Sequence, residues 1–204
     1  MPSNYHEISA LPAVVPLSTA AFAFMMWRLH RRAAVSVPRI AVAAAWCVYG
    51  AGVAANTVFP IYFGTMGDDQ SWRVFLNLTP LANTELFDML TNVLVFVPLG
   101  FLLPLVARTI SARRVLLFGF LVSFTMEALQ FINAVTGHGG HVADVNDLLA
   151  NSLGAPIGYA LFRVVLLLPG ASRFADAFTW TPQNEASFVA SRGDRQPSES
   201  GPDL

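Results

Sequence analysis

The chain has 204 residues, of which 54% are apolar and 12% are charged, about half the charged fraction of an ordinary soluble domain. A formal net charge of −1 argues against a nucleic-acid partner, because phosphate binding needs an overall excess of clustered Lys or Arg, and the basic loops are accounted for by topology. The single cysteine, Cys47, excludes a disulfide within the chain.

Taken in chain order, apolar runs long enough to cross a bilayer occur at 11–29, 40–63, 93–107, 115–132 and 148–168. The first is not a secretory signal, because its basic flank, Arg28, Arg31 and Arg32, follows the run instead of preceding it. The third is short and holds Pro98 and Pro104, so a full span requires extension backward through Leu86, Met89 and Leu90. These runs predict an all-α polytopic membrane helix bundle with about five transmembrane helices. Two of them occupy 1–63, an outer loop covers 64–85, a three-helix motif region covers 86–170, and 171–204 forms a cytoplasmic, largely disordered tail. The tail prediction rests on the Pro, Ser, Gly and charge content after Trp180.

The chain has twelve arginines and no lysine. If alternate connections face opposite sides, one assignment gathers eleven arginines on one side and leaves Arg73 on the other. Positive charge near helix ends stays in the cytoplasm, so this pattern predicts an N-out, C-in protein of the bacterial cytoplasmic membrane. No internal repeat is visible, which weighs against a transporter built from inverted halves.

Polar residues concentrate in the last three spans. N-V-L-V-F-V-P-L-G at 92–100 is followed by E-A-L-Q at 127–130 and by H-V-A-D-V-N-D-L-L-A-N-S-L-G-A-P-I-G at 141–158. Three such motifs in this order resemble the VanZ-like family of bacterial membrane proteins. That resemblance implies an envelope protein, some relatives of which are linked to reduced glycopeptide susceptibility. His141 stands where the family pattern usually has arginine, which replaces a permanently charged fork with a titratable ring.

Read by position alone, Asn92, Glu127, Gln130, His141, Asp144, Asp147 and Asn151 fall at one end of their spans and form a candidate polar site. Glu127 is the most telling member, because a carboxylate within a span usually faces a partner or a polar cavity. Asn151, Gln130 and His141 are its expected contacts. Asp144 and Asp147 suit either this site or the start of a helix, where acidic side chains complement the dipole and cap N–H groups. Gly154 and Gly158 form G-x-x-x-G, the signature of a close helix crossing in lipid. His138 and His141 lie in a Gly-rich loop instead of on a fixed face, so no metal site and no cofactor is expected. Nucleophile-elbow and phosphate-loop signatures are absent.

Three functions fit these residues. One is an envelope factor that binds membrane lipid, a lipid-linked or cell-wall precursor, or a glycopeptide in an outer polar cleft. Another is a membrane hydrolase or transferase with Glu127 or Asp147 as base. The third is an assembly partner that offers Gly154 and Gly158 as its contact surface.

Overall fold

The computed structural model describes residues 6–63, 71–81, 85–138 and 141–180. Among them five helices are long and apolar enough to span a membrane: α1 (Leu11–Arg31), α2 (Val37–Val58), α3 (Leu86–Val106), α4 (Ala112–Val135) and α5 (Val145–Val165). Lengths of 21 to 24 residues give about 32–36 Å at 1.5 Å per residue, enough to cross a hydrocarbon core of about 30 Å. The backward extension of the third span to Leu86 is present. Large apolar side chains such as Leu17, Phe24, Val48, Phe87 and Leu94 point outward. That arrangement suits lipid as the surrounding solvent.

The ends of the helices are set by local chemistry. Pro residues at the first positions of α1 and α2 lose no hydrogen bond there. Ser111 caps α4 by accepting from the Arg114 N–H at 3.4 Å. Asp144 caps α5 by accepting from the Asn146 N–H at 2.7 Å. Proline at 60 holds Phe59 extended and stops α2.

The tightest pair is α3 with α5, followed by α4 with α5. A Cβ added to Gly158 would strike the Val97 carbonyl, and one on Gly154 would strike the Val93 carbonyl. The relation is reciprocal, since a Cβ on Gly100 would strike the Ala155 carbonyl. Small residues on both helices therefore bring backbone against backbone, the means of association available in lipid. Phe96, Leu99 and Ala155 are buried along this seam. By contrast, α2 packs only sparsely on α3 and α4. Gly50 and Gly52 of α2 each face open space.

Two small strand pairs lie at the end of the bundle where α3 and α5 begin. Strand β1 (His6–Ile8) pairs antiparallel with β2 (Ile61–Phe63), and β3 (Leu76–Asn77) pairs parallel with β4 (Ala143–Asp144). A 3₁₀ turn, Trp72–Phe75, leads into β3. We call this the loop end. The other end carries Arg28, Arg31, Arg32, Arg39, Arg108, Arg113, Arg114 and Arg163, while Arg73 lies at the loop end.

A sixth helix, α6 (Ala171–Phe178), follows Gly170, whose φ of 81° turns the chain back. Trp180 is 4% exposed and donates its backbone N–H to the Leu105 carbonyl at 3.0 Å. The part of the expected tail up to 180 is thus helical and packed. The remainder, 181–204, lies outside the described residues, as do 64–70 and 82–84 of the outer loop.

Candidate functional site

Two neighbouring polar clusters occupy the loop end. In the first, Glu127 lies on α4 facing the start of α5, and its Oε2 accepts from the Asp144 N–H at 2.9 Å. Asp144 in turn accepts from the Asn77 amide at 2.9 Å, beside the β3–β4 pair. Asn146 accepts from the Leu81 N–H at 2.7 Å and is 1% exposed. This cluster pins the segment 71–81 over the N-terminus of α5. Trp72 meets Phe131 edge-on at 6.5 Å and closes the same side.

The second cluster lies between α2 and the α3–α5 seam. Asn92 on α3 donates to Oδ1 of Asp147 on α5. Beyond that pair opens a cleft of about 470 Å³, lined by Tyr49, Asn56 and Thr57 of α2, Thr91 and Asn92 of α3, Gln130 of α4 and Asn151 of α5. Apolar lining comes from Val48, Val53, Val95, Pro98 and Met126. The cleft exists because α2 stands off the other helices here and contributes Gly52 to its wall. Its volume falls within the range of small-molecule sites. Three lining atoms, the Tyr49 hydroxyl, the Thr57 hydroxyl and the Asn151 amide oxygen, are buried with no hydrogen-bond partner among the described residues. Native proteins leave few such groups.

The sequence-derived residues therefore divide. Asn92, Gln130, Asp147 and Asn151 gather at the cleft, with Asp147 behind Asn92. Glu127 and Asp144 belong to the cap cluster, so the expected contact of Glu127 is replaced by a backbone N–H. Glu127 and Gln130 sit three positions apart, about 60° around the helix, which is enough to aim them at different neighbours. His141 is exposed just before β4. His138 accepts or donates at Thr136, 2.9 Å away. Among the described residues no three His, Cys, Asp or Glu side chains are placed to hold a metal ion.

Sequence reading missed Asn77 and Asn146 of the cap cluster and Tyr49, Asn56, Thr57 and Thr91 of the cleft. Asn77 and Asn146 carry no pattern that foretells their pairing across a long connection. Tyr49 and Thr57 do: they lie eight apart on α2, on one helical face with Val53, yet α2 read as a generic span.

Comparison with known proteins agrees with the motifs. The VanZ/LLP1 family model matches residues 46–167. The chain is 34% identical over 88 residues to Protein VanZ of Enterococcus faecium, a match covering 43% of this chain and 52% of that protein. It thus spans about half the length of that curated relative. No solved structure matches it.

Proposed function

From the fact that this chain belongs to the VanZ/LLP1 family, we propose that it is an envelope protein of the bacterial cytoplasmic membrane, oriented N-out and C-in, that binds a headgroup in the cleft beside Asn92 and Asn151. The observation that carries this reading is the cleft itself, a polar hollow at one end of an otherwise lipid-facing bundle. Eleven arginines at or beyond the opposite helix ends in the sequence support placing the cleft at the outer leaflet. The ligand is membrane lipid or a lipid-linked cell-wall precursor; glycopeptide susceptibility is the phenotype that the family resemblance nominates.

Binding fits better than catalysis by Glu127 or Asp147. Each carboxylate accepts a hydrogen bond that holds two segments together, and neither is among the residues that line the cleft. A photo-crosslinking amino acid at Gln130 should capture lipid-linked material in cells. The same probe at the outward-facing Val164, 59% exposed, gives the bulk-lipid background. Adducts at Gln130 no different from those at Val164 would overturn headgroup binding, and adducts to a protein there would favour the assembly-partner reading.

A further inference from the structure

We infer that the cleft takes an uncharged, hydroxyl-bearing lipid headgroup, such as a glycosyl or unsubstituted diacylglycerol, and discriminates against phosphate. This rests on the headgroup-binding reading and names its ligand class.

Among the described residues the lining contains hydroxyls from Tyr49, Thr57 and Thr91 and carboxamides from Asn56, Asn92, Gln130 and Asn151, with no Arg, Lys or His. A phosphate would enter without a counter-charge, and the carboxylate of Asp147 lies directly behind Asn92. Bringing an anion there sets like charges close in a medium of low dielectric. The donors and acceptors argue the same way. The Asn151 amide oxygen, on a residue 2% exposed, can only accept, whereas the Tyr49 and Thr57 hydroxyls can donate or accept. Phosphodiester oxygens only accept and leave Asn151 unmatched. Sugar or glycerol hydroxyls do both and can match all three atoms.

The walls fit an amphiphile better than a free sugar. Val48 is 73% exposed and Val95 38% exposed, and both border the polar lining on the lipid-facing side. A lipid whose headgroup enters between α2 and α3 can leave its chains against these residues. Pro98 has no N–H, so the Leu94 carbonyl also lacks its usual helical donor beside the cleft.

The test uses the full chain in nanodiscs of phosphatidylglycerol, prepared without sugar-headed detergent. Monoglucosyl diacylglycerol, diacylglycerol or extra phosphatidylglycerol is added, and lipid retained by the released protein is counted by native mass spectrometry. The neutral lipids should be retained at least tenfold over phosphatidylglycerol, and free glucose should not displace them. Gly52→Leu fills the cleft from a position where a Cβ meets open space, so it should keep the fold and lose retention about tenfold. Asn151→Leu should do the same. Selective retention of phosphatidylglycerol, lost in Gly52→Leu, would overturn the neutral class while leaving headgroup binding in place. Retention insensitive to Gly52→Leu for every lipid would overturn both. Displacement by free glucose would overturn the lipid anchor alone.

Discussion

The carboxamide of Asn92 donates to the carboxylate of Asp147, joining the second turn of α3 to the first turn of α5. The bond sits at the head of the glycine seam, so it fixes the register in which Gly154 and Gly158 meet Val93 and Val97. Asn92→Leu strips Asp147 of this donor and should destabilise the bundle by about 1–3 kcal/mol. Replacing both residues by leucine removes the stranded carboxylate and should recover much of that loss. Thermal unfolding of the two single variants and the double variant checks this; additive losses would mean that the pair is not coupled.

Gly158→Leu should destabilise more than Leu166→Ala. At Gly158 even a Cβ meets the Val97 carbonyl, so the two backbones have to separate and the whole seam loosens. Leu166 is only partly buried against the core at the other end, and its truncation should cost less than the roughly 2–5 kcal/mol of a fully buried leucine. Equal melting temperatures in nanodiscs would show that the seam tolerates separation.

The spans were legible because bilayer thickness imposes a length and a composition on each helix separately. The seam was legible too, since G-x-x-x-G reports a local requirement for close approach. Contacts between distant loops leave no such periodic mark. Nothing near Asn77 announces Asp144, and the hydrogen bond between them depends on a β3–β4 pairing that spans 67 positions. Tyr49 and Thr57 were hidden for another reason. Isolated polar residues in a hydrophobic span read as tolerated until the standing-off of α2 shows what they face.

Topology gives a direct test of orientation. A reporter inserted near Gly67 and another fused after Leu204 should lie on opposite sides of the membrane, the first outside. The asymmetry of arginine between the two ends of the helices predicts this. Reporters on one side would require an even number of crossings between those two positions, in place of three.

Glu127→Gln and Glu127→Leu should separate. Glutamine still offers an oxygen to the Asp144 N–H, so its stability should lie within about 1 kcal/mol of the native protein, the usual worth of one such bond. Leucine offers none and leaves a buried N–H unsatisfied at a cost of about 1–3 kcal/mol. The loosened segment 71–81 should part Trp72, already 52% exposed, from Phe131, which it now meets edge-on, and its fluorescence in a single-tryptophan background reports the loss of that contact. Lipid retention unchanged in Glu127→Gln fits a capping role. Retention lost without a change in stability would instead make Glu127 part of the binding site.

Arg39 holds α6 in place through two carbonyls. Its Nε donates to Thr179 at 2.8 Å and its Nη1 to Ala34 at 3.0 Å, so one guanidinium ties the end of α6 to the turn between α1 and α2. The ion pair of Arg108 with Asp176 spans 2.7 Å but is half exposed on both sides, and exposed pairs contribute about 0–1 kcal/mol. The part-buried anchor with its two carbonyl bonds should therefore dominate. Arg39→Lys keeps the charge yet has no planar fork to reach two carbonyls together, so it should release α6 nearly as well as Arg39→Ala, while Arg108→Ala should leave α6 docked. The readout is quenching of Trp180, which is 4% exposed when docked, in a protein that retains this tryptophan alone. Low quenching in both Arg39 variants would mean that apolar packing of Phe178 and Trp180 against the core suffices to hold the helix.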